Sequence, residues 1–250
     1  MTTVAIMQPT YLPWVGYFAL MDIVDTFVVL DSVQFARRSW QQRNRIKTAN
    51  GEHFLTVPVY KKGLRDQKIS EVTINYDDKP LMKHKRTLDG AYSKAPHFKK
   101  YADELFEIYD KAPEHLLDLN LDIIEWMRTQ LGITTPIIRS SSMELSEKRA
   151  DLIAAICVEA RADVYVSPPG SRDYLDESTA LNDNNVELWY LDYTCQTYPQ
   201  LHGEFTPFLS TLDLMFNIGT DSLNTIRAGI NITNEFGQAH RITGELKEHT

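Results

Sequence analysis

The chain has 250 residues and a mass of 28.7 kDa, with 43% hydrophobic and 24% charged residues. That length can bury a core without disulfides or metals, and that composition excludes a mostly disordered chain. A formal charge of −8, from 34 acidic and 26 basic residues, speaks against a protein that coats nucleic acid or an anionic membrane.

Residues 3–7 open the chain as a strand-like run, apolar from Val4 and followed by Pro9. Pro13 can start a helix over 14–24. Residues 26–30 are β-branched and aromatic and end at Asp31. Strand, helix, strand within about thirty residues is a βαβ unit, so its loops at 8–14 and 31–40 fall at the carboxyl ends of parallel strands. Asn50-Gly51 between two short runs predicts a β-hairpin over 43–47 and 53–57. A further strand is expected over 69–74. Helices are expected over 81–92, 98–109 and 114–131, with Pro96 and Pro113 as starts and Gly132 as a stop. Beyond them come a short strand at 137–138, a helix at 149–161, strands at 163–166 and 186–191, and short helices at 207–217 and 221–227. The expected fold is α/β: a Rossmann-like, mostly parallel sheet with an inserted β-hairpin and a helical middle section. One domain is expected over 1–230, followed by a polar tail over 231–250.

Two cysteines, Cys157 and Cys195, lie too far apart in sequence for CxxC or a metal-ligand spacing, so a reduced, cytoplasmic protein is expected. The apolar stretch 15–30 is broken by Asp22 and Asp25 and is too short and too charged to span a bilayer. No basic segment precedes it, so no secretory signal and no membrane partner are expected. HExxH, GxSxG, the P-loop pattern and GxGxxG are missing, and no metal site is expected.

The charge is uneven. Residues 37–86 hold 13 of the 26 basic residues and 5 acidic ones, a local balance of +8 against −16 for the remainder. A basic fifth of the chain on an acidic body points to one anion site, such as a diphosphate, or to a solvated basic face without a ligand.

Four segments carry candidate chemistry. The first, 8–18, packs Pro, Gly and aromatic residues just after the first strand. Its Trp14-Val15-Gly16-Tyr17 stands where HxGH nucleotidyltransferases carry two histidines around a glycine. Gly16 permits close backbone approach at a helix start, whereas the missing histidines weigh against adenylyl transfer. Tyr11 and Gly16 read as ligand contacts, Phe18 as a packed aromatic. The second segment, 31–45, interleaves Arg37, Arg38, Arg43 and Arg45 with Gln34, Asn44 and Trp40. Guanidinium forks match phosphate oxygens, and amides and an indole suit a base or a sugar. His84 lies among Lys83, Lys85 and Arg86, which should keep its imidazole neutral and fit for a general base. A surface histidine without a role is the plainer reading. Lys94, in the break at 92–98, can contact an anion or stand as a loop lysine. The third segment, 165–175, supplies Ser167 and then Arg172 for an anion or carboxylate. In the fourth, Ser210, Asp213 and Asn217 share one helix face. Ser210 reads as a cap, and Asp213 is balanced between structure and site.

Together these segments resemble the WbqC-like protein family. The resemblance runs from Gln8 to about Gly219, on QPTYLPWVGYF (8–18), DSVQFARRSWQQRNRIK (31–47), YSKAPHF (92–98), YVSPPGSRDYLD (165–176), YPQ (198–200) and FLSTLDLMFNIG (208–219). The family occurs in bacterial O-antigen gene clusters and is associated with adding an amino acid, often glycine, to an amino sugar. Related phage proteins transfer amino acids to pyrophosphate-activated thymine bases in DNA. The resemblance therefore implies amino-acid transfer to a substrate bearing a nucleotide or diphosphate, without fixing the acceptor; the leading reading is a nucleotide-activated sugar, with free amino acid as second substrate. A transferase acting on phage DNA and a non-catalytic nucleotide-sugar binding module are the alternatives. On this reading His84 or Asp31 is the base. Arg37, Arg38, Arg43, Arg45, Lys47 and Lys94 hold the diphosphate. Gln8, Tyr11, Trp14, Gly16, Gln34, Asn44, Ser167, Arg172, Tyr198, Gln200 and Asp213 contact the acceptor or the amino acid, with Arg172 on the carboxylate. No cofactor is expected unless an amide is formed, in which case ATP or a thioester carrier must activate the carboxylate. A homo-oligomer is left open.

Overall fold

A computed structural model describes residues 1–64 and 66–234. In chain order it runs β1 (Thr3–Met7), α1 (Val15–Asp22), β2 (Thr26–Val29), β3 (Arg43–Thr48), β4 (Gly51–Thr56), α2 (Pro80–Tyr92), α3 (Phe98–Asp110) and α4 (Leu116–Leu131). Then follow β5 (Ile137–Arg139), α5 (Arg149–Glu159), β6 (Val164–Ser167), α6 (Arg172–Leu175), α7 (Ala180–Asp183), β7 (Glu187–Tyr193), α8 (Thr211–Ile218), α9 (Ser222–Ala228) and β8 (Ile230–Asn234). Among the described residues six strands form one sheet in the order β5-β2-β1-β6-β7-β8, and β3 pairs with β4 apart from it. Every pairing in the sheet is parallel except that of β7 with β8. The chain is thus a mixed α/β protein with a mostly parallel sheet and a separate antiparallel hairpin, as the sequence predicts.

The sheet is covered on both faces, which is why its strands are apolar without alternation. Val4, Ile6, Val28, Tyr165 and Tyr190 pack with Ile153, Ile156 and Cys157 of α5. Ala5, Phe27, Val29, Val166 and Leu191 face the other way, toward α1, α4 and α8, in the larger core. Burial raises the Cys157 thiol to about 12, so it acts as a small apolar side chain. Gly132 ends α4 with φ +77°, the left-handed stop expected of a glycine there. The hairpin closes on Asn50-Gly51, with Gly51 at φ +92°.

Two expectations are corrected. Residues 69–71 form a 3₁₀ turn rather than part of a strand. Ile69, Val72 and Ile74 are all buried, and their spacing of three and two suits a turn pressed on the core. Residues 231–234 do not belong to a tail: they pair with β7 as β8, from Ile230↔Tyr193 to Asn234↔Trp189. The rest of the expected tail lies outside the described residues. No helix among the described residues is long and apolar enough to cross a membrane.

Candidate active site

Five parallel strands direct their carboxyl ends to one side. The chain leaves β1 toward β2 and β5, then crosses back to β6 on the other flank of β1. Open α/β sheets bind ligands in the crevice beyond such a reversal, which here falls at the ends of β1 and β6. The segments at 8–14 and 168–171 border it.

Gln8 is exposed immediately after β1. Its Oε1 accepts from Gln41 Nε2 at 2.7 Å, and Gln41 Oε1 accepts from the Ala36 backbone N–H at 3.1 Å. The Tyr11 backbone N–H donates to the Trp40 carbonyl at 2.9 Å. The arginine-bearing segment is therefore tied across the segment that leaves β1. Buried Asn44 completes the tie, donating to the Leu12 carbonyl at 2.7 Å and the Tyr11 carbonyl at 3.3 Å. The amide is engaged by backbone, so Asn44 shapes the site from beneath.

Arg37 donates to the carbonyls of Lys61 and Leu64 at 2.8 and 3.0 Å. Arg38 is exposed with φ +58°, and among the described residues neither it nor Arg43 has a carboxylate within ion-pair reach. Arg43 lies 4.7 Å over the Phe54 ring. Arg45 pairs with Glu52 at 2.8 Å and donates to the Phe208 carbonyl at 3.2 Å. Exposed Gln34 reaches Asp66 at 3.3 Å. Exposed Lys94 sits in the turn between α2 and α3, with no hydrogen bond or ion pair to these arginines among the described residues.

Lys47 is not at the surface with them. It is buried, and its ammonium is held by Gln200 Oε1 at 3.1 Å, the Gly203 carbonyl at 3.3 Å and the Glu204 carbonyl. Gln200 donates to the Tyr198 hydroxyl at 3.1 Å. Tyr198 and Tyr92 donate to the two oxygens of buried Asp213 at 2.9 and 2.8 Å. Burial raises the Asp213 carboxyl, against the lowering effect of both tyrosines, Gln200 and Lys47. The structure thus brings Lys47, Tyr198, Gln200 and Asp213 into one interior network that joins the hairpin to the 198–213 segment. Ser210 caps α8, accepting from the Leu212 N–H at 3.3 Å.

The two expected bases are both engaged. His84 is buried, with Nδ1 2.7 Å from the Tyr11 hydroxyl, which lies 2.6 Å from the Tyr109 hydroxyl. Burial brings its imidazole down to about 4, aided by the charge of His53 and opposed by a hydrogen bond to the Thr56 backbone. Burial, rather than the neighbouring lysines, keeps it neutral. Asp31, at the end of β2, is fully buried. Its oxygens accept from Ser140 Oγ at 3.1 Å, Ser141 N–H at 2.9 Å, Ser141 Oγ at 2.8 Å and Arg139 Nε at 2.6 Å. Burial pushes this carboxyl up, but the bonds from Ser141 and Arg139 outweigh it and hold the group below its ordinary value. Four donors fill the acceptor capacity of a carboxylate.

Trp14 and Gly16 serve each other. A Cβ on Gly16 would lie 2.2 Å from the Trp14 indole, and that ring packs against Tyr193 and Phe208 at 5.6 and 5.7 Å between centroids. The space above the glycine is filled by the indole. Ser167 is buried and bonded to the Tyr165 and Ser171 hydroxyls. Arg172 stacks 3.7 Å over Tyr190, 3.8 Å from Asp192 and 3.5 Å from Thr233 Oγ1.

Gln41, which ties the arginine segment to Gln8, and Ser140 and Ser141, which hold Asp31, are not among the residues singled out from the sequence. Their signal is weak, since Gln and Ser recur throughout the loops. Phe54 is also new, in an ordinary strand position; Trp40, whose indole suited a base or a sugar in the sequence, stacks on it at 6.2 Å between centroids.

The WbqC-like protein family matches residues 8–225. An uncharacterized protein of Mycobacterium tuberculosis, Rv1507c, is 39% identical over 229 residues, covering 91% of this chain and 98% of that protein. No solved structure gives a significant match.

Proposed function

This chain belongs to the WbqC-like protein family, and from that premise we propose that it transfers an amino acid, glycine or a similar one, to a nucleotide-activated amino sugar. The observation that carries the reading is the tie between Gln41 and Gln8, which sets an arginine-rich segment against the crevice at the strand-order reversal. Arg38 and Arg43 then meet the diphosphate charge, with Arg37 and Arg45 as fixed supports. Gln8 orients the acceptor sugar at the crevice, and Arg172 takes the amino-acid carboxylate, exchanging its longer contact with Asp192. Asp31 and His84 are positioning residues: the first fixes the ends of β2 and β5, the second fixes Tyr11. On this reading the amine of the amino acid attacks the sugar carbon that bears the diphosphate, the carbon–oxygen bond to the nucleoside diphosphate breaks, the arginines meet the charge of that leaving group, and the proton lost by the amine leaves through solvent.

The test is incubation with a panel of UDP- and dTDP-amino sugars and free amino acids, read by mass spectrometry. Release of UDP or dTDP together with a sugar joined to the amino-acid nitrogen is expected. Arg43→Ala should abolish turnover with the fold intact, and wild-type activity in that variant would remove the arginine assignment. A second reading, a nucleotide-sugar binding module without catalysis, is favoured by the engagement of both candidate bases. Binding across the panel with no turnover would select it.

A further inference from the structure

Two large exposed aromatics stand together at the hairpin, Trp40 just before β3 at 49% and Phe54 of β4 at 42% relative exposure. Their rings stack on one another, 6.2 Å between centroids at 27°. Arg43 lies over Phe54, and Arg45 lies 5.7 Å from the centroid of Trp40. Exposed apolar residues are ordinary when scattered singly; an adjacent pair flanked by guanidinium groups is a different matter. Arg45 is fixed by Glu52 and the Phe208 carbonyl, which holds one cation against the pair. Trp40 is also the residue whose carbonyl takes the Tyr11 N–H, and the next residue, Gln41, holds Gln8. Trp40, which stacks on Phe54, is therefore the chain neighbour of the residue that makes the tie to Gln8.

We propose that Trp40 and Phe54 are the stacking platform for the base of the nucleotide substrate, with the diphosphate running past Arg43 and Arg38 toward Gln8. This rests on the nucleotide-sugar reading above and extends it to two residues outside the crevice. Stacking on an aromatic ring accepts every base, because every base has a π-face. The platform thus supplies affinity without base selectivity. A longer polyanion is disfavoured by the −16 carried outside residues 37–86.

The experiment titrates UDP and GDP, without any sugar, into the wild type, Trp40→Ala and Phe54→Ala, following tryptophan fluorescence and calorimetric heat. Melting temperature confirms folding in each variant. The expected result is quenching by both nucleotides, loss of the quench in Trp40→Ala, and affinity weakened about tenfold in each variant. In turnover assays the KM for the nucleotide sugar should rise while kcat holds. Unchanged affinity in both folded variants would overturn the platform and leave the nucleotide-sugar reading standing. Trp40-dependent nucleotide binding with no turnover on any nucleotide sugar would support the platform and remove the transferase reading. Tighter Trp40-dependent binding of a single-stranded oligonucleotide than of UDP would replace the proposed occupant and overturn the assignment.

Discussion

His84 shows how a residue can be misplaced from its neighbours and recovered from its spacing. The run Lys83-His84-Lys85-Arg86 reads as a charged surface, yet Leu81 and Leu88 stand three before and four after His84 and are buried with it. Helical periodicity puts all three on one face, so the signal was present and local composition masked it. The consequence is a pH dependence. Its folded pKa, about 4, lies below the ordinary 6.5, so the unfolded chain binds the proton more readily. Stability is therefore full above pH 6.5 and falls as pH drops toward 4, by about 3 kcal/mol. Urea unfolding at a series of pH values should show this fall, and His84→Gln should flatten the part between pH 6.5 and 4. At the same scale, Gly16→Ala should destabilise by about 1–3 kcal/mol by displacing the indole. In a Trp14→Ala background most of that loss should vanish, a coupling that a double-mutant cycle measures.

Elements with strong punctuation were legible. Asn50-Gly51 fixed the hairpin, and Gly132 fixed the end of α4. β8 was missed because Ile230–Asn234 is short, half polar and covers only an edge, where one buried residue, Ile232, suffices. For the site, the arginine segment and its place after β2 could be read from the chain, because a βαβ unit fixes where its loops emerge. Which polar groups face a ligand could not, since Lys47, Asn44 and Asp213 found partners distant in sequence. Lys47 and Asp213 now explain how the hairpin stays in place. Asp213→Asn can accept from only one of Tyr92 and Tyr198 through its single carbonyl oxygen. It should cost about 1–3 kcal/mol for the hydroxyl left without an acceptor. Chemical denaturation checks the cost, and hydrogen exchange in β3 and β4 should rise with it.

Over the whole molecule, the charge division and the sheet order act together. The strand order reverses between β1 and β6, and the basic window 37–86 includes the hairpin inserted between β2 and α2, whose leading segment Gln41 ties to Gln8 at the end of β1. The antiparallel β8 closes the flank of β7, which would otherwise present an open edge. A chain ending at residue 229 should therefore melt lower than one ending at 234 and should aggregate on heating. Light scattering during a thermal ramp distinguishes the two.

The arginine segment is anchored at both roots. Asp31 locks its start to Ser140 and Ser141, Gln41 holds its middle to Gln8, and Asn44 locks its end to Leu12. Its conformational freedom is thus surrendered during folding and not at the encounter with a ligand. Nucleotide association should accordingly be a single fast step, linear in ligand concentration, with no slow isomerisation following it. Its heat-capacity change should be small, since no segment folds onto the ligand. Stopped-flow mixing and calorimetry at several temperatures would reveal a rigid cradle by these two signatures.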